Sequence, residues 1–120
     1  MVACNFRFNE GFKSLKQVVL GGELGQPLAA RGVIGHDLSQ SRTGVDYRQT
    51  YAAARVGGGV ILDSGAHAID YLRDLFGEAK KVHCFLGNIS ELEIKSEDFA
   101  QVIINHKTGV VTSLSLDYFS

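Results

Sequence analysis

The chain holds 120 residues with a formal net charge of −1, 45% hydrophobic and 21% charged residues. This is one domain, large enough to bury a core without metal or disulfide staples and too apolar for a disordered tail. The near-neutral charge excludes a broad basic footprint, and no apolar run approaches the ~18 residues of a bilayer span, so neither nucleic acid nor membrane is expected as a partner.

Glycine is frequent and proline nearly absent, 14 against 1. That balance points to close backbone approaches rather than to flexible linkers. Cys4 and Cys84 lie far apart and form no CxxC pair. Residues 1–7 lack a charged segment followed by an apolar one, so a reducing cytoplasm is expected.

Taken in order, residues 2–8 alternate Val2, Cys4, Phe6 and Phe8 against Ala3, Asn5 and Arg7. The alternation predicts a half-buried strand. A chain that enters a strand at once reads as a domain cut from something longer. Residues 10–21 predict a helix, with Phe12, Leu15, Val18 and Val19 on one side, Asn9 as N-cap and Gly21-Gly22 as stop. Residues 28–34 suit a strand, 36–46 a loop, and 47–55 a short helix. Strands follow at 81–86, 98–106 and 110–119, the last two joined by a hairpin at Lys107-Thr108-Gly109. The last strand places Leu114, Leu116 and Tyr118 opposite Ser113, Ser115 and Asp117. Late clustered strands predict an α+β domain: a mostly antiparallel, open-faced sheet with helices packed on one face.

The chemistry concentrates in residues 60–76, after Gly57-Gly58-Gly59. On an ideal helix, with Asp63 as origin, His67, Asp70 and Asp74 fall at about 40°, −20° and 20°. Four polar groups thus share a stripe roughly 60° wide on an otherwise apolar helix. Such a helix is largely buried, with one edge on a cleft. Asp63 and His67 stand at i, i+4, where a carboxylate can orient an imidazole and favour its cation. That is the arrangement of a held general base; on an exposed helix the same spacing is only a solvated pair. His36, His83 and His106 have no ligand spacing to the pair, so no metal is expected. The triple glycine is no phosphate fingerprint, since neither GxGxxG nor GxxxxGK[ST] occurs. It permits a close backbone turn or the approach of a flat ligand.

Residues 57–72, GGGVILDSGAHAIDYL, resemble the GGGxLxDxGxHxID signature in the C-terminal domain of the glucose–fructose oxidoreductase / inositol dehydrogenase / MocA family. Asn5-Phe6-Arg7-Phe8, Leu20 to Gly25, Glu97 to Ala100 and Thr108-Gly109 agree with that domain in order and spacing. The resemblance implies the substrate-binding and catalytic domain of a two-domain nicotinamide-dependent oxidoreductase, acting on a hydroxyl of a sugar, cyclitol or nucleotide-sugar. NAD or NADP would be held by an N-terminal Rossmann domain outside residues 1–120, and the C-terminal end of the domain is also expected to be missing. This piece alone would then be inactive and would bind no dinucleotide. By the same resemblance, Asp63 and His67 are the catalytic pair, and Tyr47, Arg48 and Tyr51 contact substrate. A homo-oligomer through the open sheet face is implied as well. Two other readings stand beside this one: a non-catalytic oligomerisation module, and a small carbohydrate-binding domain.

Overall fold

The computed structural model describes residues 4–120. Helix α1 (Glu10–Leu20) starts where the Asn9 side chain accepts from the Gly11 N–H, and it ends at Gly21. Strand β1 (Ala29–Gly35) follows, then a long irregular segment, then helix α2 (Ala66–Phe76), preceded by one π turn at Ile61–Gly65. Strands β2 (Ala79–Gly87), β3 (Phe99–His106) and β4 (Val111–Asp117) complete the chain.

The four strands form one sheet in the order β1-β4-β3-β2. β2, β3 and β4 are antiparallel, and β1 adds parallel to β4. The expected α+β class and mostly antiparallel open sheet are therefore observed. Alternation along β3 and β4 sends Ala100, Val102, Ile104, Leu114 and Leu116 to the helical side. There they pack with Val60, Ala68, Ala52, Ala53 and Tyr118 in one core. Gly65 lets the helical segment approach the sheet closely: a Cβ there would sit 2.8 Å from Leu116 Cδ1. A second cluster, Tyr71, Leu75, Phe76 and Val110, is flanked by Phe6, Phe12 and Val19.

Three expectations need correction. Of the strand expected at 2–8, residues 2 and 3 lie outside the described residues, and Asn5–Phe8 form a 3-10 turn. Phe6 stacks on Phe12 with ring centroids 4.9 Å apart, and Arg7 reaches across to α2. With no neighbouring strand to pair with, those side-chain contacts outweigh the alternation. The helix expected at 47–55 is two 3-10 turns, Tyr47–Gln49 and Tyr51–Ala53. They are broken at Thr50, whose backbone is extended and whose hydroxyl donates to the Tyr47 carbonyl (2.7 Å). The helix expected over 60–76 opens with a π turn rather than with ideal α geometry.

The outer sheet face is neither covered nor wholly polar. It carries Arg31, Val33, Gln101, Ile103, Ser113 and Ser115, with His83 and Phe85 on β2. Phe85, Phe99 and Phe119 run across it with successive ring centroids 6.2 and 6.3 Å apart. Among the described residues, no helix is long and apolar enough to cross a membrane.

Candidate functional site

The glycine run sets the site. Gly57 and Gly59 have φ of 79° and 95°, a region that glycine enters without a steric penalty. A Cβ on Gly58 would run into the Tyr51 and Ala54 carbonyl oxygens, and one on Gly59 into the Glu97 carboxylate. Of the two readings left open for this run, these contacts realise the close backbone turn. It clamps the Tyr51–Ala53 turn against the start of the long helix, and the Gly59 N–H donates to the Ala52 carbonyl (2.9 Å).

Asp63 lies on the π turn. Its Oδ1 accepts from the Tyr51 hydroxyl and its Oδ2 from the Tyr118 hydroxyl (3.0 Å). Burial, then the Asp63 charge, pushes the Tyr118 phenol up. The hydrogen bond to Asp63 raises Tyr51 first, with burial second. Both phenols are thereby held as donors. Beside them opens a polar cavity of about 160 Å³, bounded by His36, Ser41, Arg42, Thr50, Tyr51 and Asp63.

His67 stands apart from that cluster. No hydrogen bond or ion pair joins it to Asp63, contrary to the expected pairing. A π turn widens the helix, so residues four apart across it no longer stack as in an α-helix. The imidazole lies against Phe6, ring centroids 5.3 Å apart. Its Nδ1 is buried without a hydrogen-bond partner, alone in this among the side-chain nitrogens and oxygens of the described residues.

The remaining expected residues divide. Tyr51 lines the cavity and is half exposed. Tyr47 accepts a hydrogen bond from the Glu93 N–H (3.2 Å). Arg48 is spent on Asp46 (2.9 Å) and Glu93 (2.7 Å), and those partners, Asp46 first, raise its pKa. Tyr47 and Arg48 thus tie the 47–53 turns to the 88–98 loop. Asp70 and Asp74 complete the polar stripe, but they face Arg7 and Lys16, the latter 2.7 Å from Asp74.

Tyr118, His36 and Arg42 belong to the cavity group and were not singled out by the sequence. The one available signal was that Tyr118 alternates onto the core face, where a buried phenol needs a hydrogen-bond partner. Among the described residues, no three His, Cys, Asp or Glu side chains gather closely enough to hold a metal ion. Nor is there a glycine-rich strand–turn–helix for a dinucleotide pyrophosphate. The cavity beside Asp63 offers the hydrogen-bonding groups that a polyhydroxy ligand can use.

The Arg7–Asp70 pair carries a pH dependence. Arg7 holds the Asp70 carboxyl below its usual range, chiefly through their hydrogen bonds. A depressed folded-state pKa stabilises above the unfolded value of ~3.9, and the contribution is lost as pH falls through the folded value. Asp70→Asn should therefore be less stable than the wild type at pH 7, with the gap closing in strong acid. Urea unfolding of both proteins at the two pH values measures it; a gap that does not change with pH assigns no role to the ion pair.

Residues 12–120 match the family model of the GFO/IDH/MocA C-terminal domain. The trans-1,2-dihydrobenzene-1,2-diol dehydrogenase of Mus musculus is 29% identical over 106 residues, 87% of this chain and 29% of that protein. The D-apiose dehydrogenase of Paraburkholderia graminis is 27% identical over 120 residues, 100% of this chain and 30% of that protein. The structure of an oxidoreductase from Agrobacterium radiobacter, in complex with NAD+, L-tartaric acid and magnesium, superposes with a TM-score of 0.80 at 26% identity. That match covers 98% of this chain and 32% of the other. The chain thus spans about 30% of the length of these curated relatives.

Proposed function

The chain belongs to the GFO/IDH/MocA C-terminal domain family, and we propose that it is the substrate-binding and catalytic domain of a nicotinamide-dependent oxidoreductase acting on a hydroxyl of a sugar-like polyol. Residues 1–120 form one domain in this reading. NAD or NADP is held by a domain outside them and, when bound, supplies the hydride acceptor. His67 takes the proton of the reacting hydroxyl. The observation that carries the reading is the buried, unpartnered His67 Nδ1, on the helix that bears the family signature. Buried polar atoms in native folds are nearly always hydrogen-bonded, so an exception calls for an explanation, and a catalytic role is one. Asp63 acts through the wall: it fixes Tyr51 at the cavity mouth and ties the helix to Tyr118. Tyr47 and Arg48 support that wall, and Tyr51 is the member placed to touch substrate.

The test is nicotinamide reduction, followed by absorbance, when the full-length protein meets a panel of sugars and cyclitols. No turnover with any of them under either cofactor counts against the reading. Cys4 and Cys84 are free thiols, which fits a reducing compartment, and we place the protein in the cytoplasm.

The open sheet face is the proposed homo-oligomer contact. The Phe85–Phe99–Phe119 line, with Val33 and Ile103, gives it apolar side chains interleaved with Arg31, Gln101, Ser113 and Ser115, a mixed surface of the kind found at protein interfaces. Light scattering should show a dimer, or a multiple of dimers, that Ile103→Glu converts to monomer. An unchanged mass for that variant would move the contact elsewhere.

A further inference from the structure

We propose that the polar cavity beside Asp63 is a subsite for an anionic oxyacid group carried by the polyol substrate, a sugar acid or sugar phosphate, recognised by Arg42. The inference deepens the oxidoreductase reading and rests on it for the identity of the ligand as substrate. It begins from how the cations of the chain are used. Arg7, Arg48 and Arg73 are spent on Asp70, on Asp46 with Glu93, and on Glu78. Arg31, Arg42 and Arg55 have no carboxylate partner among the described residues, and of these three it is Arg42 that borders the cavity. Its guanidinium lies over the Tyr51 ring, 5.9 Å from the centroid. Packing on a ring holds a guanidinium in place while its N–H edge stays free for a planar oxyanion. The His36 imidazole also lines the cavity, crossed edge-to-face with the Tyr118 ring at 5.1 Å between centroids, with no hydrogen bond of its own within the described residues.

The rest of the wall has the opposite polarity. Ser41 Oγ donates to the Leu38 carbonyl (3.0 Å) and Thr50 Oγ1 to the Tyr47 carbonyl (2.7 Å). Each hydroxyl has spent its proton and presents lone pairs. Asp63, already met by two phenols, presents the same. These groups accept from ligand hydroxyls and offer a neutral polyol nothing for its own acceptors. A guanidinium and hydrogen-bond acceptors lining one cavity fit a molecule that carries an anion next to hydroxyl groups. The volume of about 160 Å³ is well under the ~300 Å³ of sites that enclose a whole small ligand. It takes the charged end of the substrate.

The test is titration of the chain, followed by calorimetry, with three matched probes: glycerol, glycerate and glycerol 3-phosphate. Charge-assisted hydrogen bonds should make at least one acid bind ~10-fold or more tightly than glycerol, with the preference weakened by salt. A tighter glycerate assigns a sugar acid, and a tighter glycerol 3-phosphate a sugar phosphate. Arg42→Gln should remove the preference, and Arg42→Lys should keep part of it; unchanged melting temperatures establish that both variants fold. Acids that bind no better than glycerol, no binding of any probe, or a preference that survives Arg42→Gln overturns the proposal. The readout involves no hydride transfer. If the preference stands while the full-length protein reduces no nicotinamide with any polyol, the functional reading fails and the subsite remains; turnover without the preference has the reverse meaning.

Discussion

His67→Ala lowers turnover of the full-length protein on its polyol substrate at least ~100-fold while cofactor affinity stays within error. Oxidation of an alcohol removes a hydride from carbon and a proton from oxygen. A side chain that takes that proton contributes typically ~10²–10⁴-fold. The imidazole is suited to the task because a neutral ring carries a nitrogen lone pair that can accept the proton. Its Nδ1 is buried without a partner, so no hydrogen bond within the described residues must be broken for the ring to respond to a ligand. Alanine removes the acceptor and leaves the cofactor contacts of another domain alone. Asp63→Asn is expected to lower turnover less, and for a different reason. An amide presents one acceptor and one NH2 donor where the carboxylate presents two acceptors, so either Tyr51 or Tyr118 must turn from donor to acceptor and the cavity wall rearranges. Steady-state kinetics with both variants separates the roles. Near-normal turnover for His67→Ala would put the proton acceptor outside this chain.

Asp98→Ala destabilises the fold by ~3 kcal/mol. Asp98 is fully buried. Its carboxylate accepts from the Ile89 N–H (2.8 Å), the Ser90 N–H (2.9 Å) and the Ser90 hydroxyl. Alanine strands three donors where water enters only by opening the loop. The consequence reaches the site, because the 88–98 loop holds Glu93 against Arg48 and Tyr47, and the Lys95 N–H bonds to the Ala53 carbonyl (3.2 Å). Thermal unfolding should show a melting temperature lower by ~10 °C or more, with tyrosine fluorescence changing before the main transition. A loss of under ~1 kcal/mol would mean that the loop finds other partners.

Much of this architecture is legible locally. Asn9 and Gly21 bracket α1 within a dozen residues, and both caps form. Alternation in β3 and β4 predicts their buried faces because one side meets a core and the other does not. The departures have long-range causes. Residues 5–8 alternate like a strand, yet Arg7 answers to Asp70 on a distant helix. The π turn is invisible to a 100° wheel, and it is what parts Asp63 from His67. Asp63 finds its partners 12 and 55 residues away, and Arg48 finds Glu93 45 residues away; no local pattern encodes such pairings. Asp63 and His67 were readable from the family signature, while Tyr118, His36, Arg42 and the hydrogen-bond partners required the fold.

The role of His67 is tested most directly by the structure of the full-length protein with nicotinamide cofactor and polyol substrate bound. The reacting hydroxyl is expected within ~3.2 Å of a His67 ring nitrogen, with the substrate reaching toward Tyr51 and the Asp63 cavity. A hydroxyl held by another side chain, with His67 out of hydrogen-bond reach, would contradict it.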